Sequence, residues 1–302
     1  MNRTFKVLSI IGSPHDAKSN TRALVEDFLD DVETAGLTID RTFISLGTKE
    51  VLPCKGCWNC TVGKPCPLRH DDLNEIKEAM IDCDMLILGC PVYTNQVTAQ
   101  MKALFDRLFT WCHIFPLLGK YSLSVCTTGN DGQDEVANYL EKMLATYGTS
   151  SFGTVIGTGA YTPGFFPRRE SVREKYKDLA RHVAETIVSG KPMPVSSWQR
   201  KMFKVMKRKM TGVHVIDYIQ NGESDERPDP PRMMLRMVRG LMTKRGVTED
   251  QVARLARLMS FELGWWSKRG WLTAKSFGQL ASRPTPADFD TRAYLLSPHP
   301  AG

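Results

Sequence analysis

Five apolar runs punctuate the first 160 residues, and between them the apolar positions recur every three or four residues. The first run, FKVLSIIGS at 5–13, is almost wholly apolar and rich in β-branched residues. Such a run is a strand buried on both faces, as in a parallel sheet covered by helices. From Asn20, the residues Leu24, Val25, Phe28, Leu29 and Val32 fall at helical spacing, and Gly36 supplies the stop. Further strands are read at 38–46, 85–91, 121–129 and 152–159. Helices are predicted over roughly 72–82, 97–111, 135–147 and 170–189, with Asp72 and Glu75 resembling a capping box at the first of these.

Strand and helix in strict alternation give an α/β doubly wound parallel sheet. Right-handed crossovers and five strands favour the flavodoxin-like order 2-1-3-4-5. Ligands of such sheets sit beyond the carboxyl ends of the strands, where the winding reverses. The loops after strands one, three and four are therefore the candidate site.

The loop GSPHDAKSNTRAL (12–24) joins a buried strand to a helix N-terminus. Ser13, Ser19 and Thr21 offer hydroxyls, the helix start offers unpaired N–H groups, and His15, Lys18 and Arg22 add positive charge. That set suits a phosphate monoester. The loop has neither GK[ST] nor G-x-G-x-x-G, so Walker and dinucleotide fingerprints are excluded. The alternative is a plain helix cap. In the loop after the third strand, Pro91 fixes the turn, Tyr93 places a ring where a flat heterocycle can rest, and Thr94 and Asn95 add polar contacts. In the loop after the fourth, Gly129 and Gly132 permit backbone approach to a ligand edge.

These stretches carry a family resemblance over roughly residues 4–190. GSPHDAKSNT resembles the GSPR-x-x-SNT phosphate loop of NADPH-dependent FMN reductases, and PVYTNQVTAQMKALFDR (91–107) resembles their PVY and DR segment. The pattern C-x-G-C-x-x-C…C…DD (54–72) marks the branch that includes the iron–sulfur flavoproteins. The resemblance implies bound FMN, in a homodimer or dimer of dimers. Carried over, Ser13, Ser19, Asn20 and Thr21 hold the phosphate, with His15 standing where the family often has Arg. Pro91, Val92, Tyr93 and Asn95 form the ring platform, and Thr128, Gly129 and Gly132 meet the ring's edge. Cys90 replaces a common serine and reads as buried packing. No catalytic acid or base is nominated, because the flavin carries the chemistry.

The leading function is an oxidoreductase in which NAD(P)H reduces bound FMN, which passes electrons to a small acceptor such as a quinone, flavin or nitro compound. The rival is a flavin electron carrier, with or without an iron–sulfur centre, fed by a ferredoxin. Cys54, Cys57, Cys60 and Cys66, spaced C-x2-C-x2-C-x5-C, are candidate ligands of a [4Fe-4S] cluster. The same spacing occurs in members that carry only flavin, so a reduced loop stays open. From its place between the second strand and the next helix, the loop is expected near the flavin.

Charge divides the chain. Residues 1–190 hold 20 Lys and Arg against 23 Asp and Glu, a net of −3, and all eight cysteines. Residues 191–302 hold 20 against 10, a net of +10. Two regions are expected: 1–190, the FMN-binding domain, and 191–302, a basic helical extension. In the stretch 197–210, Trp198, Met202, Val205, Met206 and Met210 fall along one helical face. This face suits packing as an arm across an acidic dimer, or an anionic membrane surface. Residues 221–231 read as a linker, 233–242 as an apolar run, and 248–266 as a helix capped by Thr248. The tryptophans of WWSKRGWL (265–272) either cover a neighbouring flavin site or anchor the tail, and the tail from Ser282 reads as irregular. No nucleic-acid-binding motif accompanies the charge, and nucleic acid is an unfavoured partner. With no apolar run long enough to span a bilayer and no signal peptide pattern, the chain reads as cytoplasmic.

Overall fold

The computed structural model describes residues 4–221, 248–282 and 290–296, with scattered residues between 230 and 246. Five strands form one sheet: β1 (Phe5–Ile11), β2 (Ile39–Ser45), β3 (Met85–Pro91), β4 (Tyr121–Thr128) and β5 (Ser150–Thr158). Their order is β2-β1-β3-β4-β5, as expected, and every neighbouring pair is parallel. The winding reverses between β1 and β3.

Alternation along the strands supplies two apolar faces. On one, Val7, Ile11, Ile87, Val125 and Val155 pack beneath α1 (Asn20–Thr34) and α6 (Arg169–Ser189) through Leu24, Phe28, Val183 and Ala184. Ion pairs stitch these helices together: Arg169 grips the buried Asp27 with both Nε (2.6 Å) and Nη2 (2.7 Å), and Arg173 reaches Asp31 (2.8 Å). The other face carries α2 (Leu73–Asp82) on β1 and α5 (Gln133–Tyr147) on β4 and β5. The predicted 97–111 helix is two pieces, α3 (Ala99–Arg107), capped by Thr98, and α4 (Trp111–Ile114). The capping box read at Asp72 does not form. Asp72 instead accepts the Glu50 N–H at 2.8 Å, and its own N–H returns to Glu50 O at 2.9 Å.

The chain separates into two compact units, Met1–Cys54 with His70–Ser196, and Lys55–Arg69 with Ser197–Gly302. The cysteine loop thus belongs mostly with the C-terminal segment, not with the sheet. In this second unit α7 (Ser197–Asn221) and the helices Glu249–Leu258 and Ser260–Lys268 pack together, and the loop's short turn Asn59–Val62 packs on the latter two. Trp265, Trp266 and Trp271 are buried in the unit's core, with Trp266 stacked on Phe203 and Trp265 and Trp271 edge to face. Phe203, Met206, Met210 and Val213 form the buried side of α7, while Val205, placed on that side by its spacing, is exposed. Thr248 caps its helix in a full capping box with Gln251. Thr291–Leu296 is helical where an irregular tail was expected. The linker at 221–231, apart from its first residue and residue 230, and six of the ten residues of the apolar run at 233–242 fall outside the described residues. Among the described residues, no helix is long and apolar enough to cross a membrane.

Candidate functional site

A cleft of about 120 Å³, open to solvent, lies at the carboxyl ends of β1, β3, β4 and β5. Ser13, His15, Ser19, Asn20, Thr21, Pro91, Val92, Tyr93, Thr128 and Gly129 all line it.

One end is polar. Gly12 ends β1, donating its N–H to Gly89 O at 2.7 Å. A Cβ there would come within 3.1–3.2 Å of Met101, Thr98 and Cys90, so glycine lets α3 approach the loop root. Thr98 secures that contact by donating its hydroxyl to Gly12 O at 2.7 Å. Ser13 Oγ accepts the His15 N–H (3.3 Å) and Ser19 Oγ accepts the Arg22 N–H (3.2 Å), which leaves each hydroxyl proton for an anion. The Thr21 and Thr127 hydroxyls share one bond of 2.5 Å, tying α1 to the end of β4. The first-turn N–H groups of α1 have no intrahelical acceptor and carry the positive end of its dipole. Lys18 and His15 line the cleft, and His15 Nε2 stands 3.3 Å from the Tyr93 hydroxyl. Arg22 does not line it. Its guanidinium pairs with Asp16 (3.0 Å) and Glu26 (2.9 Å), and the Glu26 hydrogen bond above all holds its pKa up.

The other end carries the Tyr93 ring beside Pro91 and Val92. Tyr93 and Gln96 exchange backbone hydrogen bonds across a two-residue turn in which Thr94 (φ +50°) and Asn95 (φ +58°) are left-handed. A β-branched residue in that region is strained. The turn leaves Tyr93 43% exposed beside Pro91 and Val92. Burial, with a smaller contribution from Cys90, raises the Tyr93 pKa. Asn95 and Gly132, both expected at the ring, do not line the cleft and instead meet each other beside Val92. Gly132 (φ +74°) has room for no Cβ, which would fall 2.7 Å from Asn95 Oδ1 and Val92 Cγ1. Cys90 is buried against Thr98, and burial pushes its thiol up to about 11. It is packing, as expected of a protonated, enclosed thiol.

The loop after β5 was not among the expected loops. Ala160, Tyr161, Thr162 and Pro163 form a fourth wall. Ala160 N–H donates to Thr128 O at 3.0 Å, and Thr162–Phe165 is a tight turn with Gly164 at φ +77°. The signal was present as A-Y-T-P-G-F (160–165), because Pro-Gly at the centre of a turn is a type II pattern.

Hydroxyls and cations at a helix start, with aromatic walls opposite, fit a phosphorylated flat heterocycle. Residues 5–162, slightly over half of the chain, match the model of the NADPH-dependent FMN reductase family. The chain belongs to that family. It is an FMN-type flavoprotein fold of the oxidoreductases, and relatives extend the likeness. An iron–sulfur flavoprotein of Archaeoglobus fulgidus is 33% identical over 155 residues, 51% of this chain and 69% of the relative. One from Methanocaldococcus jannaschii is 32% identical over 191 residues, 60% of this chain and 97% of the relative. The solved NAD(P)H:quinone oxidoreductase of Methanothermobacter marburgensis superposes with a TM-score of 0.47 at 20% identity, covering 60% of this chain and 96% of that one.

The four loop cysteines are placed differently from the cleft residues. Cys54 and Cys57 are exposed and Cys60 and Cys66 half-buried. Among the described residues, no group of three or more His, Cys, Asp or Glu is arranged to hold a metal ion. The loop's stems are fixed within the first unit by a buried ion pair. Arg107 Nη1 donates to Asp71 Oδ2 (2.5 Å) and to Leu52 O (2.9 Å), and Leu52 N–H donates to Asp71 Oδ2 (3.0 Å). Arg107 closes the DR segment of the family resemblance and Asp71 opens its DD pair.

Proposed function

We propose that the cleft binds FMN and that the protein is an NAD(P)H-dependent oxidoreductase delivering electrons to a small acceptor. The observation that carries this is one cleft with a hydroxyl-and-cation end at the start of α1 and an aromatic end between the β3 and β5 loops. Ser13, Ser19 and Thr21 bind the phosphate, and Lys18 and His15 offset its charge. Pro91, Val92 and Tyr93 orient the ring, and the backbone at Thr128 and Gly129 approaches its edge. Bound FMN supplies the hydride and electron chemistry. No protein acid or base is assigned to it, so the chain's contribution is orientation and access.

The FMN-loaded chain, titrated anaerobically with NADPH and with NADH, tests the reading. Bleaching of the flavin absorbance by at least one of them is expected. Bleaching by neither, with rapid reduction by a reduced ferredoxin, points to the electron-carrier alternative.

That alternative draws support from the relatives named iron–sulfur flavoproteins and from the C-x2-C-x2-C-x5-C spacing. On this reading Cys54, Cys57, Cys60 and Cys66 hold a [4Fe-4S] cluster. Anaerobic purification tests it: a broad absorbance additional to the flavin, lost in air and in the Cys60→Ala variant, is the expected sign. A homodimer or dimer of dimers remains part of the proposal, and sedimentation of the full chain checks it.

A further inference from the structure

Asn20 sits where the family resemblance puts a phosphate contact, at the first residue of α1. Its side chain is engaged elsewhere. Nδ2 donates to Thr162 O at 2.8 Å and to Phe165 O at 3.3 Å, the two carbonyls that begin and end the turn after β5. Two carbonyl acceptors require the amino group to face them, so the amide orientation is fixed by chemistry. An amino group has two hydrogens and both are used. What remains of the side chain is Oδ1, an acceptor, which a phosphate oxygen repels.

The turn needs such a bracket. It places Ala160, Tyr161, Thr162 and Pro163 along the cleft, yet Tyr161 and Phe165 are each 55% exposed. Its root is bonded to the β4 loop through Gly159 N to Gly129 O (3.3 Å) and Ala160 N to Thr128 O (3.0 Å). At the tip, the hydrogen bonds among the described residues run within the turn, from Phe165 N to Thr162 O (2.9 Å) and Tyr161 N to Phe165 O (3.3 Å), and to Asn20. One side chain thereby joins the phosphate loop to the wall that faces the ring.

We propose that Asn20 is a positioning residue that fastens the turn after β5 over the cleft, setting affinity for the flat ring and not selectivity for the phosphate. This rests on the FMN reading above. The probes are FMN and riboflavin, which differ by the phosphate alone. Binding of each to the full-length chain is measured by flavin fluorescence, with hydrogen exchange of residues 159–166 as a second readout.

Asn20→Ala removes two hydrogen bonds. It is expected to weaken FMN and riboflavin alike, by about tenfold, leaving the FMN-to-riboflavin ratio within about twofold. Exchange at 159–166 accelerates in the ligand-free chain. Lys18→Ala, at the polar end, is expected to lower the ratio instead. Asn20→Asp keeps the size, suits a helix start and lacks the donors, so it also accelerates exchange. Loss of FMN affinity alone, with exchange unchanged, makes Asn20 a phosphate ligand and overturns the proposal. No change in either affinity or exchange overturns it as well. If the unsubstituted chain binds neither flavin, the FMN reading fails, and the exchange result still decides whether Asn20 brackets the turn.

Discussion

Replacing Arg107 with methionine removes the guanidinium that faces the Asp71 carboxylate, while keeping most of the side chain's apolar bulk. Both side chains are 2% exposed, so water cannot take over the lost interaction. Asp71 also accepts the Leu52 and Leu73 N–H groups at 3.0 and 3.4 Å, so its carboxylate is held in place with its charge uncompensated. Breaking a buried pair by removing one partner costs about 3–5 kcal/mol, a large share of the 5–15 kcal/mol of a typical domain. Asp71→Asn removes the carboxylate that faces the buried guanidinium and is expected to destabilise the same unit. The double variant strands no charge and is expected to cost less than either single one, which a double-mutant cycle reads as coupling. Because the chain has two units, native-state hydrogen exchange of the β3 amides (Met85–Pro91) reads the first unit separately. Each single variant is expected to speed the slowest of these amides by about a hundredfold or more. An acceleration under about tenfold in both single variants, or a double variant worse than either, refutes the reasoning.

Three further outcomes follow from the same geometry. Gly132→Ala places a Cβ 2.7 Å from Val92 and Asn95 at φ +74°, and the left-handed strain alone costs about 1–2 kcal/mol. Displacement of the Pro91–Tyr93 wall is expected, with FMN affinity falling at least about tenfold by fluorescence titration, and unchanged affinity argues against that wall. Burial raises Cys90 from 9.0 to about 11 and Cys83 to about 12, so the folded chain holds these protons more tightly than the unfolded one. The associated stability is full below pH 9.0 and is lost as pH rises through the folded values. For Cys90 that interval is worth about 3 kcal/mol, and Cys90→Ala is expected to flatten the fall of Tm between pH 8 and 11. Iodoacetamide at pH 8 is expected to modify Cys54 and Cys57 of the metal-free chain well ahead of Cys83, Cys90 and Cys126, as read by peptide mass spectrometry.

The sheet is legible in the sequence because a strand buried on both faces is apolar whatever its neighbours are. Met85–Pro91 coincides with its apolar run, and α5 and α6 begin within two residues of their predicted starts. The three expected loops converge because strand order places them at one edge. What stayed hidden depends on contacts distant in sequence. Asn20 reads as a cap or a phosphate ligand until the turn 142 residues later is brought to it. Asp72 reads as a cap until Glu50 takes its carboxylate. Val205 fits the helical stripe of α7, but spacing alone does not fix which edge of that stripe packs. The cysteine loop reads as part of the sheet domain by position, yet its turn packs on helices nearly 200 residues away.

The central claim is that the cleft at the β1–β3 switch point binds FMN. The visible spectrum of the anaerobically purified full-length chain, followed by denaturation and identification of what is released, tests it most directly. Flavin bands and about one FMN per chain, or uptake of added FMN to that ratio, are the predicted result. A colourless chain that takes up no FMN contradicts it.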